Sequence, residues 1–205
     1  MASNNTNRKR SKVRIWYERA FIPLGKFFGK LGISPNMVTV LSIFVGCVMV
    51  FYLWQRNLIA GLITFGIAAF LDILDGSIAR AMKKTSKFGM LLDHVSDRCV
   101  EFLLILGFIL GAFLPGWLGA LTYFSMILPS YIRARGEAVS GISGESVGFF
   151  ERKEKLGILL MGMIGEIFTK YRIIPIAALI VTVFSLITAL QRIIFFHKEL
   201  ANREN

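Results

Sequence analysis

Charge is scarce in this 205-residue sequence: only 18% of residues are Asp, Glu, Lys or Arg, whereas 55% are hydrophobic, and the mean hydropathy is +0.61. That balance excludes both a disordered chain and an ordinary soluble domain. Cysteine is nearly missing. Cys47 and Cys99 are the only two; both fall in apolar stretches, and neither has the Cys or His neighbours that a zinc or haem site needs, so no disulfide framework is expected. Histidine is equally rare, with His94 and His197 alone. Residues 1–12 (MASNNTNRKRSK) are polar and basic, with no apolar h-region, so a cleavable secretory signal is not expected. No internal repeat is evident.

Long apolar runs are what the chain does have. A bilayer-spanning helix takes about 20 apolar residues, which leaves room for roughly six spans and short loops. Residues 13–32 alternate Arg14, Arg19, Lys26 and Lys30 with Trp16, Tyr17, Phe21, Phe27 and Phe28, the pattern of an amphipathic helix lying in the membrane interface. Ser34-Pro35-Asn36 then supplies a capping Ser and a first-turn Pro. Apolar spans are predicted over 37–54, 58–81, 88–113, 117–138, 149–169 and 173–196. The expected fold class is all-α: a polytopic membrane protein of six transmembrane helices preceded by an interfacial helix. Residues 1–34 form its basic tail and juxtamembrane helix, 35–198 its membrane domain and 199–205 a polar tail.

Basic residues test the topology. Lys and Arg number eight in residues 1–34, four in 80–87, five in 133–155 and three from Arg192 onward. With an even number of spans these segments share one side; the other carries only Arg56, Lys170 and Arg172, and Arg98 lies inside the third span. The positive-inside rule therefore puts both termini and both basic loops in the cytoplasm. A net charge of +11 would suggest nucleic acid in a soluble protein, but here it reflects topology and anionic lipid headgroups, and no nucleic-acid partner is expected.

Against this background four acids are out of place. Asp72, Asp75, Asp93 and Asp97 lie inside or at the cytoplasmic ends of spans two and three, where an aspartate at the helix centre costs about 2.5–3.5 kcal/mol. Asp72, Asp75, Gly76, Ala79 and Arg80 share one helical face; Gly89, Asp93 and Asp97 share another. The short turn between the spans makes them antiparallel neighbours, so the two pairs can meet. Crowded carboxylates must take up protons or gather cations. Hard oxygen ligands without Cys or His partners favour Mg²⁺, Mn²⁺ or Ca²⁺, and four of them could hold two ions, an arrangement that stabilises the attacking and leaving oxygens of phosphoryl transfer. The alternative is a buried charge network with Arg80, Arg98 and nearby lysines, which accounts for neither the crowding nor the small residues on the same faces.

The run Asp72-x2-Asp75-Gly76-x2-Ala79-Arg80-x8-Gly89-x3-Asp93-x3-Asp97 resembles, without a departure, the signature of the CDP-alcohol phosphatidyltransferase family, with eight fixed positions over 26 residues. The interfacial helix, the Ser-Pro-Asn opening and the six spans are also similar to that family. The resemblance implies an enzyme that uses divalent metal, Mg²⁺ or Mn²⁺, to displace CMP from a CDP-linked lipid by the hydroxyl of a small alcohol, commonly as a homodimer. It further implies that Asp72, Asp75 and Asp93 coordinate the metals, with Asp97 beside them as general base. Gly76, Ala79 and Gly89 would let the nucleotide approach the backbone, and Arg80 would neutralise diphosphate charge. Each Gly costs a helix about 1 kcal/mol relative to Ala, which is easier to understand if something packs against it; close helix–helix packing is the competing reading, stronger for Gly89 than for Gly76.

The acceptor is written less clearly. Ser130, Arg133 and Glu137 share a face, as do Arg152 and Lys155, and both segments flank one cytoplasmic loop, so two or three cations can converge on an anion. A phosphorylated alcohol is the inference. The stretch is similar to that of the family's inositol-phosphate-using branch, loosened by Gly136 and by Lys at 153 and 155. Topology charge with Arg133–Glu137 and Glu151–Lys155 helix pairs is the competing reading, and glycerol phosphate or serine are the competing acceptors. His94 lies about 100° off the acidic face and is expected to pack or hydrogen-bond; His197 is expected at the surface. Gly107, Gly111, Gly162 and Gly165 suit helix packing or a dimer seam. A transporter would be expected to place its carboxylates near the midplane with a sequence repeat, and a lipid-binding scaffold has no use for the acids.

Overall fold

A computed structural model describes residues 12–169 and 171–204, with side chains from 21 to 169 and 171 to 202. The basic tail before residue 12, the side chains of Arg14, Trp16, Tyr17 and Arg19, and Lys170 lie outside the described residues. Among the described residues the chain is all-helical, without strands: α1 (Lys12–Lys30), α2 (Pro35–Trp54), α3 (Leu58–Ala81), α4 (Lys87–Leu110), α5 (Gly116–Ser140), α6 (Arg152–Phe168) and α7 (Ile174–Glu204).

Local chemistry explains the boundaries. The Ser34 hydroxyl accepts the Met37 N–H at 3.2 Å and Ser86 accepts that of Gly89 at 2.9 Å, N-caps for α2 and α4. The αL residue Gly141, with φ of 67°, closes α5 through a 2.9 Å bond from its N–H to the Glu137 carbonyl. Three boundaries differ from expectation by three residues or more. The third apolar run stops as helix at Leu110 rather than Phe113, because the chain turns through Gly111 and Ala112, the latter at φ 57°; a Cβ on Gly111 would stand 2.3 Å from the Leu53 carbonyl oxygen. The fifth expected span becomes helix, α6, at Arg152 rather than 149, since Gly148 at φ 101° turns the chain and the Phe149 and Phe150 rings pack edge-on or tilted against Phe184. α7 runs on through the polar end of the sequence to Glu204.

Three helices, Pro35–Trp54, Leu58–Ala81 and the segment Ile174–Asn202, are long and apolar enough to cross a membrane. Their flanks expose Phe44, Phe51, Ile59, Ile63, Ile176 and Leu190, a surface suited to hydrocarbon and ill suited to water. α4, α5 and α6 carry charges in their cytoplasm-expected halves.

The chain divides into two compact units. The first comprises residues up to Phe44 with Ile67–Asp97; the second comprises Val45–Gly66 with the chain from Arg98. In the first, Val38, Leu74 and Ile78 are buried, with Leu24, Phe28 and Met82 packed against them. Gly25 lets α1 reach α3: a Cβ there would sit 2.5 Å from the Ser77 carbonyl oxygen. In the second, Met49, Leu53, Phe108, Met126, Leu159 and Val181 belong to one core, and α5 joins α7 through the Thr122 and Thr182 hydroxyls, 2.9 Å apart.

Candidate active site

The first unit holds all eight signature residues. The spacing on α3 and α4 brings three of the four expected acids together: one oxygen each of Asp72, Asp93 and Asp97 lies within 4.8 Å of the others. A divalent cation binds oxygens at about 2.0–2.6 Å, so oxygens on opposite sides of one ion stand about 4–5 Å apart, and these three fit one ion with both helices where they are. Asp97 is only 9% exposed, away from competing water. These residues are a hard, anionic donor set of the kind Mg²⁺ and Mn²⁺ take.

Asp75 stands one turn from Asp72, outside that trio. Its Oδ2 accepts the Thr39 hydroxyl at 2.5 Å, a bond from α2 that fixes the carboxylate's orientation and leaves Oδ1 outside that contact. Thr39 was not singled out from the sequence; a hydroxyl in an apolar helix carries no signal of its own. Around the acids the small residues have structural neighbours. A Cβ on Gly76 would come 3.1 Å from Arg80 Nη1, so the glycine lets the arginine fold along its own helix, where Nη2 donates to the Ser77 hydroxyl at 3.4 Å. Arg80 is otherwise exposed and Ala79 half-buried. A Cβ on Gly89 would approach Asn36 Oδ1 at 3.4 Å, so Gly89 faces the start of α2. His94 does not pack: its side chain is 79% exposed, with Nδ1 3.7 Å from Asp93 Oδ2.

The expected acceptor residues belong to the second unit and are held unequally. Ser130 is exposed. Arg133 forms the expected helix pair with Glu137, Nε to Oε1 3.4 Å. Lys155 makes no pair with Glu151. It is 4% exposed, and its Nζ donates to the Met126 carbonyl at 3.1 Å. Arg152 donates through Nε to Glu101 Oε1 at 2.7 Å.

Arg192, which the sequence reading counted only as a topology signal, is 6% exposed, donating from Nε to Val147 O at 3.0 Å and from Nη1 to Pro129 O at 2.6 Å. Lys155 and Arg192 thus both bind carbonyls of α5, those of Met126 and Pro129. Glu101 also escaped notice, although the argument made for the four aspartates, that a carboxylate in an apolar span needs a reason, applies to it equally. Gly136, which loosened the likeness to the inositol-phosphate branch, lies under the Phe196 ring, where a Cβ would sit 2.4 Å from ring carbon Cδ2.

Helices apolar enough to cross a membrane beside a cluster of hard oxygen donors suit a membrane phosphotransferase. Residues 32–196 match the CDP-alcohol phosphatidyltransferase family, and the chain belongs to it. It is 31% identical over 183 residues to an archaetidylinositol phosphate synthase of Pyrococcus horikoshii, covering 89% of this chain and 94% of that protein. Two crystal structures of a phosphatidylinositol phosphate synthase of Mycobacterium tuberculosis share its fold. One has CDP-DAG bound, with TM-score 0.77 and 26% identity over 87% of this chain and 94% of that one. The other, in complex with manganese and citrate, has TM-score 0.75 and 26% identity over 86% of this chain and 88% of that one. The chain is therefore a transferase of phospholipid biosynthesis.

Proposed function

We propose that this enzyme transfers a phosphatidyl-type group, diacyl or archaetidyl, from a CDP-linked lipid to a hydroxyl of inositol phosphate, releasing CMP. The observation that carries the reading is the convergence of Asp72, Asp93 and Asp97 within 4.8 Å inside an unbroken family signature. Asp72, Asp93 and Asp97 would hold one divalent ion, Mg²⁺ or Mn²⁺, and Asp75, steadied by Thr39, would complete a site for a second. Such ions would supply charge neutralisation at the diphosphate and make CMP a better leaving group. Arg80, exposed beside the acids, binds the nucleotide diphosphate, and Gly76, Ala79 and Gly89 leave room for it.

The acceptor hydroxyl oxygen attacks the β-phosphorus in line, the bond from that phosphorus to the CMP oxygen breaks, and Asp97 takes the hydroxyl proton. Buried at the rim of the acid cluster, Asp97 is placed to hold that proton away from bulk water. Arg133, Arg152, Lys155 and Ser130, joined by Arg192, bind the acceptor's phosphate. Inositol phosphate is favoured because cations gather in the second unit and because both the relative and the structural matches carry inositol phosphate synthase names. Six spans, α2 to α7, cross the membrane with α1 in the interface. The termini and the site are cytoplasmic, as the lopsided Lys and Arg count supports, and the enzyme works as a homodimer.

Purified protein given CDP-lipid with Mg²⁺ or Mn²⁺ and a panel of inositol phosphate, glycerol phosphate, serine and inositol tests the reading. Metal-dependent CMP release fastest with inositol phosphate is expected. Undiminished turnover in EDTA would overturn the metal site, and serine or free inositol as the best acceptor would overturn the phosphate pocket.

A further inference from the structure

Outside the acid cluster, a second carboxylate is buried more completely than any of the four aspartates. Glu101 is 1% exposed on α4, out of contact with solvent. It is met from two directions: Arg98 Nη1 donates to Oε2 at 2.7 Å and Arg152 Nε donates to Oε1 at 2.7 Å. Arg98, three residues back on the same helix, already balances the charge. If neutralisation were the whole role, a second arginine brought from α6 would be redundant and would leave the group with excess positive charge.

The point of attachment is informative. A carboxylate bound at Nε holds the planar guanidinium at its stem, and the terminal nitrogens are carried with it. Arg152 opens α6, on a side chain long enough to sample many rotamers, and Lys155 lies one turn further along the same face. Lys155 and Arg192 are tied to backbone carbonyls of α5, which are already rigid. Glu101 gives Arg152 the equivalent anchor, and a cation fixed before its anion arrives loses less freedom on binding.

We propose that Glu101 is a positioning residue for the acceptor phosphate, acting through Arg152, an inference that rests on the acceptor reading given above. The competing role, simple charge balance, predicts the opposite sign. Removing a buried negative charge from beneath a phosphate pocket would then tighten anion binding.

Steady-state kinetics of Glu101→Gln, Arg152→Ala and the double variant, varying inositol phosphate and CDP-lipid separately with Mn²⁺ present, decide between them. In Glu101→Gln the acceptor KM is expected to rise about tenfold, the size of one misplaced charge-assisted contact, with the CDP-lipid KM unchanged. The double variant should be no worse than Arg152→Ala alone, which a general packing defect would not produce. An unchanged or lowered acceptor KM in Glu101→Gln, while Arg152→Ala raises it, overturns the proposal; so does a double variant whose defects multiply. An unchanged KM in Arg152→Ala overturns the phosphate-pocket reading itself, and the proposal with it. Should Glu101→Gln fail to fold, Glu101→Asp keeps the buried charge but shortens its reach by one methylene. An acceptor KM raised about threefold is then expected, and a wild-type value sinks the idea.

Discussion

Neutralising one member of the acid trio should strengthen the metal-free protein and weaken the metal-bound one. Three carboxylate oxygens within 4.8 Å of one another repel by about 3 kcal/mol per pair at an effective dielectric of 20, an upper bound because the Asp93 side chain is 41% exposed and partly screened. Asp93→Asn removes two of the three pairs, so even after heavy screening about 1 kcal/mol of relief is expected, roughly 2–4 °C in Tm for a chain of this size. Metal acts in the other direction: a divalent ion at a hundred times its Kd stabilises the native state by about 2.7 kcal/mol, and losing one of three ligands should abolish most of that. Thermal unfolding in detergent, in EDTA and again in Mn²⁺, reads both effects. The variant should melt higher than wild type in EDTA and gain little from Mn²⁺, with turnover abolished. A lower Tm in EDTA would mean that the aspartates are paired structurally with cations, and the metal reading would fall.

How far the sequence carries depends on whether an interaction is periodic along one helix or made between distant segments. The acidic faces are periodic. Spacings of three and four residues on two helices joined by a short turn bring Asp72 to Asp93 and Asp97, and the Ser34 cap and the stop at Gly141 are equally local. Asp75's engagement is not, because Thr39 comes from 36 residues away and nothing in its neighbours marks it. Glu101 meets Arg152 across 51 residues. Its burial was in principle legible from a charge in an apolar run; its partner was not. The end of α4 was misjudged because Gly111, Ala112 and Phe113 are as apolar as the helix before them. The helix ends in a left-handed turn at Ala112, an apolar residue that composition does not mark as a stop. Arg192 shows the converse error: a basic residue near a span end satisfies the positive-inside rule whether it faces lipid headgroups or, as here, is buried against α5.

The remaining predictions probe single contacts. With Mn²⁺ saturating, Asp97→Asn, which loses a metal ligand as well as the base, should lower kcat by more than it raises the CDP-lipid KM, and Arg80→Ala should mainly raise that KM; equal loss of both parameters in each would refute the division of roles. Thr39→Val removes the hydroxyl on Asp75 at nearly constant volume and should raise the Mn²⁺ concentration for half-maximal activity about 10- to 100-fold, while Thr39→Ser restores it; a Val variant indistinguishable from wild type would show that Asp75 needs no orientation. The last concerns Pro129. A proline inside a helix costs about 3 kcal/mol relative to a residue with an N–H, so Pro129→Ala should stabilise α5 if the proline were merely tolerated. Lys155 and Arg192, both almost wholly buried, hydrogen-bond to the Met126 and Pro129 carbonyls, but the carbonyl that a proline at 129 leaves without its helical partner is that of Ser125, four residues back. Neither cation uses it, so both seats survive the substitution. Pro129→Ala should therefore melt above the wild-type temperature with the acceptor KM unchanged. An acceptor KM raised about tenfold, a change of about 1.4 kcal/mol, would refute the argument, because the cations would then depend on the break in the ladder.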